Sequence, residues 1–176
     1  QKVNFESVAY FNSSLSLVRL ALLIVNPIGM VLLPRISNKI ATSSVDEVNT
    51  MLNILFKTGL VLSVFGVIYC YINAPLILIF WLGAVNDIGV NILRLTILAL
   101  PFYTFAGLCR SPIDAVSERG YNSLIYSLAA IVMITIIFIG KTYGCDLLET
   151  ALTSFLVSHI IAGLASAYFI QRLYKT

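Results

Sequence analysis

Five long apolar segments, rich in leucine, isoleucine and valine, alternate with short polar stretches along the chain. Each segment is close to the ~20 residues that a helix needs to cross the hydrocarbon of a bilayer. Because an unpaired backbone amide or carbonyl is costly in hydrocarbon, the pattern predicts helices throughout. The predicted spans are residues 12–34, 51–72, 91–110, 121–140 and 147–170, and the apolar piece 75–82 is too short to cross.

Turn-forming residues predict where these helices begin and end. Pro34 is expected to close the first helix and Pro75 the second, while Gly120 divides the third from the fourth. Asp46 and Glu47 follow two serines, an order typical of the first turn of a helix. The second helix is therefore expected to begin before its apolar stretch.

Composition places the chain among membrane proteins. Apolar residues make up 59% of it and charged residues 11%, compared with about 45–50% and roughly 25% in soluble domains. We expect an all-α membrane fold, a polytopic bundle of about five transmembrane helices that fills residues 1–176 as a single region. No basic run indicates binding to nucleic acid.

No pattern of residues indicates covalent catalysis or metal binding. Cys70, Cys109 and Cys145 are widely spaced and lie in or beside apolar runs, which favours neither a disulfide framework nor a metal site. The sequence has no phosphate-binding loop and no arrangement of serine, histidine and aspartate. We therefore expect no catalytic residue, no cofactor and no enzymatic activity.

Lysine and arginine are concentrated in alternate loops. The first loop holds Arg35 and Lys39, the third holds Arg110 and Arg119, and Arg172 lies near the C-terminus. Because cytoplasmic loops carry the excess of basic residues, the N-terminus is predicted to lie outside and the C-terminus in the cytoplasm.

The first predicted span carries a polar face. Asn12, Ser16, Arg19 and Asn26 recur at helical spacing. The functional interpretation makes Arg19, with Ser16 and Asn26, a contact for an anionic group such as a pyrophosphate, which a guanidinium binds well. In the alternative interpretation, Arg19 extends to the membrane interface or pairs with an acid on another helix.

Polar residues in the later spans suggest gating or structural roles. Tyr103 and Arg110 share one helical face with Thr96, and Arg110 can pair with Asp114 one turn further on. A structural clamp of the loop is the favoured role for this pair, and binding or gating is the alternative. His159, the single histidine, is interpreted as a packing residue, or alternatively as a group that carries a proton or touches substrate.

Small residues and prolines in the spans predict where helices pack closely and where they bend. A stripe of small residues in the fifth span predicts close packing against another helix; it consists of Thr150, Ser154, Ser158, Ala162 and Ser166. Pro27 and Pro101 fall inside spans, where a bend is expected and where a moving transporter would hinge.

Several segments in order resemble a family of membrane transporters: Val8–Tyr10, Val31–Ser37, Ala74–Gly83, Ile92–Leu98 and Arg110–Ala115. Together they resemble the C-terminal lobe of Wzx-like O-antigen and polysaccharide flippases, in the MATE-related MOP exporter superfamily. The resemblance implies helices eight to twelve of a twelve-helix, two-lobe protein. A missing N-terminal lobe or partner subunit is therefore expected, and Arg19 is the one position that matches a cavity arginine of the family.

The resemblance also implies a function and a location. Such a flippase moves an undecaprenyl-pyrophosphate-linked oligosaccharide across the bacterial cytoplasmic (inner) membrane during O-antigen and lipopolysaccharide biosynthesis. Two alternatives remain: a truncated lobe that packs beside a partner, or a multidrug exporter of the same superfamily. The second is disfavoured because no acidic residue lies deep in any predicted span.

Overall fold

Helices make up nearly all of the described chain. The structure is a computed structural model and describes residues 5–42, 45–83 and 85–174, in which no strand occurs. The helices are α1 Phe5–Thr42, α2 Val45–Ile72, α3 Ala74–Leu82, α4 Asp87–Ile97, α5 Leu100–Val116, α6 Tyr121–Thr142 and α7 Leu147–Tyr174. The predicted all-α class is confirmed.

Four stretches of the described chain are long and apolar enough to cross a membrane. They are Asp46–Ile72, Asp87–Val116, Tyr121–Thr142 and Leu147–Tyr174, which contain the second to fifth predicted spans. The chain is therefore a multi-pass membrane protein that contacts the lipid bilayer. The first predicted span, residues 12–34, lies within α1. Several of its side chains lie outside the described residues, so the fifth crossing stays a prediction.

The prediction that Pro34 ends the first helix is wrong, since α1 continues through it to Thr42. A proline removes one helical hydrogen bond, and tertiary packing can offset that loss. Here the extension is held by Ile36, which is buried in a cluster with Val48 and Leu52 of α2. The early start of α2, with two acidic residues in its first turn, is confirmed.

The third predicted span is made of two helices, α4 and α5, separated at Leu98 and Ala99. Pro101 lies in the first turn of α5, where its missing amide hydrogen would have no helical partner. The bend expected at Pro101 stays a prediction; the structure shows a break between two helices just before it. Pro27 lies inside α1, which is continuous through it, and Pro112 lies inside α5.

α5 occupies the centre of the bundle, where it packs against α1, α2 and α7, and α6 packs mainly on α7. Of the most apolar part of α4–α5, 56% is buried, compared with 11% in α2 and in α6. Large apolar faces of α2 and α6 therefore point away from the protein, as expected for helices that face lipid.

α6 and α7 form an antiparallel hairpin in close contact. A Cβ atom on Gly140 would lie 2.6 Å from the Thr150 hydroxyl oxygen, and the rings of Tyr121 and Phe169 stack with centroids 4.6 Å apart. About 19 residues of each helix separate these contacts, or about 28 Å, which is close to the thickness of bilayer hydrocarbon. Thr150 and the other four members of the predicted small-residue stripe are all buried, so that prediction is confirmed.

One end of the bundle gathers the basic loops, and we call it the basic end. The Asn49 side chain donates to the Tyr174 carbonyl at 3.3 Å, and the Tyr174 hydroxyl donates to the Pro112 carbonyl at 2.9 Å. Lys39 pairs with Glu47 across the turn from α1 to α2, at 3.7 Å. These contacts join the ends of α1, α5 and α7 to the start of α2, so the basic loops predicted to be cytoplasmic lie together.

Candidate functional site

The polar face of α1 is exposed in its described part. Asn12, Ser16 and Arg19 are exposed, while Ser14 and Val18 on the opposite face are buried. The Ser16 hydroxyl donates to the Asn12 carbonyl at 2.9 Å, so it is satisfied within the helix. The shared face is confirmed for these three residues, whereas the side chain of Asn26 lies outside the described residues.

Arg19 lies about 6 Å from the midpoint of the first predicted span, at 1.5 Å per residue. α1 packs against α5, and the charge of Arg19 acts electrostatically on Tyr103 of α5, which lies near the midpoint of the Asp87–Val116 stretch. Among the described residues no carboxylate forms an ion pair with Arg19. The ion pair found in this part of the chain joins Lys39 and Glu47. Arg19 thus carries a positive charge at mid-depth that no described acid neutralises.

His159 joins this site from α7. Its ring packs edge to face on Tyr103, with centroids 4.7 Å apart, and lies 4.2 Å from the ring of Phe155. Nδ1 lies 2.7 Å from the Phe155 carbonyl oxygen, which can only accept, so Nδ1 carries the hydrogen. Nε2 of the neutral ring is then an acceptor. His159 is a packed and oriented residue, as the packing interpretation expects, and its ring contacts Tyr103.

Tyr126 of α6 extends the site towards the basic end. It interacts electrostatically with Tyr103 and with Arg110 and Asp114 of α5. Arg110 lies two turns beyond Tyr103, about 10 Å along the helix. We call Arg19, Tyr103, His159, Tyr126 and Arg110 the polar track. These side chains come from α1, α5, α6 and α7; Tyr103 and His159 are in contact, and the others are linked to Tyr103 electrostatically or through their position on α5.

The predicted clamp at the end of α5 exists, but a different pair of residues makes it. Asn122, in the first turn of α6, donates to Asp114 Oδ1 at 2.7 Å and to the Arg110 carbonyl at 3.0 Å. In the described chain Arg110 and Asp114 form no ion pair. The Asn122 amide thus donates to the Asp114 carboxylate, and the exposed Arg110 guanidinium forms no ion pair with it.

Sequence spacing identified part of this site and missed part. Thr96, expected on the face of Tyr103 and Arg110, is buried and donates to the Ile92 carbonyl at 2.7 Å. The interruption between α4 and α5 separates it from that face. Sequence spacing did not identify Tyr126 or Asn122 as site residues. The features that could have indicated them are a phenol inside the fourth predicted span and an amide at the start of that span.

Comparison with protein-family models, with curated proteins and with solved structures finds no match to this chain. The resemblance to Wzx-like flippases stays a prediction.

Proposed function

We propose that this chain is one lobe of a membrane transporter that moves a lipid-linked oligosaccharide across the bacterial cytoplasmic membrane, with Arg19 as the contact for its pyrophosphate. The observation that carries the proposal is the exposed guanidinium of Arg19 near the middle of the first predicted span, which forms no ion pair with a described acid and acts electrostatically on Tyr103. A charge at this depth is costly and typically marks a substrate or ion pathway.

The balance of charge along the polar track favours an anionic substrate. It contains two guanidinium groups, those of Arg19 and Arg110, whereas the nearest carboxylate, Asp114, accepts a hydrogen bond from Asn122 and keeps its single negative charge, so the positive charge is in excess. All acids of the described chain whose side chains are placed lie near the ends of helices; they are Asp46, Glu47, Asp87, Asp114, Glu118, Asp146 and Glu149. A site for drug cations needs a carboxylate at depth, so these positions argue against the multidrug alternative.

The geometry of the track suits a diphosphate that enters from the basic end. A guanidinium can bind two phosphate oxygens at once, and the Tyr103 and Tyr126 hydroxyls can donate to others. Arg110 would meet the anion first and Arg19 would hold it at mid-depth. The exposed polar face of α1 leaves a side of this path open, where a second lobe or partner subunit would supply the opposite wall.

The test is complementation of a strain whose own copy of the gene is deleted. The unaltered gene is expected to restore surface polysaccharide, Arg19→Ala to abolish it, and Arg19→Lys to restore it only in part, because lysine binds phosphate as a point charge. Arg119→Ala removes an exposed arginine outside the polar track and outside the segments that carry the resemblance; it is the matched control and should leave polysaccharide unchanged.

Either of two results would overturn the proposal. The first is full restoration of surface polysaccharide by the Arg19→Ala variant when it is present at a normal level in the membrane. This result would show that transport does not need Arg19. The second is no restoration by the unaltered gene expressed from the same vector, which would favour a structural lobe that packs beside a partner.

A further inference from the structure

A cleft lies between α2 and α7 near the basic end of the bundle. It is lined by the amide side chains of Asn49 and Asn53 from α2 and of Gln171 from α7, together with Leu52 and Phe56. Leu52 is buried and Phe56 packs against the same buried cluster. The cleft therefore combines amide groups with an apolar base.

Two of these amides keep their donors free. Asn49 donates to the Tyr174 carbonyl at 3.3 Å. The exposed side chains of Asn53 and Gln171 make no hydrogen bond with another residue of the described chain. Each primary amide has two N–H donors, so both residues present donors to a ligand in the cleft.

Lys57 adds a positive charge beside the cleft. It lies one helical turn beyond Asn53 on the same face of α2 and about 9 Å inside the second predicted span. It is exposed, and it forms no ion pair in the part of the chain that the structure describes. Helical side chains lean towards the N-terminus, which for α2 is the basic end, so the flexible stem of Lys57 can bring its ammonium group to the level of Asn53.

The charges around the cleft favour an anionic ligand. The acids of α2, Asp46 and Glu47, lie in its first turn, about 15 Å along the helix from Lys57, and Glu47 pairs with Lys39. Glu149 of α7 lies in the first turn of that helix, at the opposite end of the bundle. The charge of Lys57 is therefore not compensated by an acid close to the cleft on either helix.

We propose that Lys57, Asn53 and Gln171 bind the phosphate group of an anionic glycerophospholipid in the leaflet at the basic end. Basic pockets between transmembrane helices bind anionic lipid headgroups, and an ammonium group and amide N–H groups are suitable donors to phosphate oxygens. None of the three residues belongs to the polar track. The proposal does not rest on the proposed function.

The order of side chains along α2 identifies the ligand as a lipid rather than a soluble phosphate. Beyond Lys57 the same face continues with Val61, Val64 and Ile68, which are all exposed. Only 11% of the most apolar part of α2 is buried within the protein, so acyl chains surround it. A phospholipid has the same order, from a polar headgroup at the membrane surface to apolar chains at depth. One molecule can therefore place its phosphate at Lys57 and an acyl chain along Val61 to Ile68.

Native mass spectrometry of the purified full chain in detergent tests the proposal, because it counts the lipids bound to each molecule. The chain is titrated with phosphatidylglycerol and with phosphatidylcholine that has the same acyl chains and no net charge. We expect one saturable phosphatidylglycerol site, with an affinity about fivefold above that for phosphatidylcholine. This factor corresponds to about 1 kcal/mol for one lysine at an anionic membrane surface.

Substitutions separate the charge from the amide donors. Lys57→Gln should weaken binding of phosphatidylglycerol about fivefold and remove the preference over phosphatidylcholine, whereas Lys57→Arg should keep both. Asn53→Leu should weaken binding of both lipids, since both carry the phosphate. Lys141→Gln is the matched control, because Lys141 is an exposed lysine on α6 that does not line the cleft, and it should bind phosphatidylglycerol as the unaltered chain does.

Three outcomes would overturn the proposal. Equal affinity for the two lipids, unchanged by Lys57→Gln, would show that the charge of the headgroup is not recognised. Equal losses from Lys57→Gln and Lys141→Gln would show a general attraction of lipid to basic residues. Displacement of phosphatidylglycerol by an equal concentration of glycerol 1-phosphate would show a site for soluble phosphates. Arg19→Ala should leave phosphatidylglycerol binding unchanged, so this proposal and the proposed function fail independently.

Discussion

Replacing Gly140 with alanine adds a methyl group at the closest contact between α6 and α7. The new Cβ atom would lie 2.6 Å from Thr150 Oγ1, whereas carbon atoms pack best at about 3.5–4.0 Å. Stacking of Tyr121 on Phe169 fixes the other end of the hairpin, so the helices cannot separate without losing that contact. Overpacking of this kind costs about 1–3 kcal/mol.

A smaller effect of opposite sign accompanies this strain. Alanine is favoured over glycine inside a helix by roughly 0.5–1 kcal/mol. We therefore expect Gly140→Ala to lower the free energy of unfolding by about 0.5–2 kcal/mol once both terms are included. The assay is reversible unfolding of the purified chain in mixed micelles, followed by circular dichroism as the fraction of dodecyl sulfate rises.

Two further variants make the measurement decisive. Gly66→Ala is the matched control, because its Cβ would meet only Leu100, at 3.9 Å, and it should cause no loss of stability. In a Thr150→Ala background the two closest atoms, Cγ2 and Oγ1, are absent and only Cβ remains, at 3.1 Å, so Gly140→Ala should cost less there than in the unaltered chain. Equal tolerance of alanine at positions 140 and 66, or no coupling to Thr150, would refute the close packing of the hairpin.

Two other predictions concern the basic end and use the same unfolding assay. Asn122→Asp replaces the donor to Asp114 with a second carboxylate and should lower the free energy of unfolding by about 1–3 kcal/mol. The loss should shrink at acid pH, as the carboxyl groups become protonated. A loss of stability that does not change with pH would contradict the role of the clamp. Tyr174→Phe removes the hydrogen bond to Pro112 and should lower the free energy of unfolding by about 0.5–1.5 kcal/mol. Tyr143→Phe is the control, because Tyr143 is 80% exposed, and it should leave stability unchanged. Equal effects of the two substitutions would contradict a stabilising role for the Tyr174 hydrogen bond.

The membrane fold was predictable because bilayer thickness constrains the length and composition of each span. Four of the predicted spans fall inside helices that meet this criterion. The small-residue stripe of α7 was predictable for a related reason, since a spacing of four residues keeps one face of a helix towards its neighbour. Pro34 was misjudged because the effect of a proline depends on packing elsewhere, here on the burial of Ile36 beside Val48 and Leu52.

The candidate site was only partly predictable because contacts between helices depend on their relative rotation. The face of Arg19 follows from spacing within α1 alone. The approach of Tyr126 to Arg110 requires α6 to lie beside α5 in one orientation, which no spacing within either helix specifies. The pairing of Asp114 with Asn122 likewise depends on the short turn between α5 and α6.

Equilibrium binding of a polyprenyl diphosphate to the purified chain tests the central claim most directly, with the uncharged polyprenol of the same length as the reference ligand. A hydrogen bond to a charged group contributes about 1.5–3 kcal/mol, and every 1.4 kcal/mol is tenfold in affinity. Arg19→Ala is therefore expected to weaken binding of the diphosphate by about tenfold or more and to leave binding of the polyprenol unchanged. Equal affinity of the folded Arg19→Ala variant and the unaltered chain for the diphosphate would contradict the account.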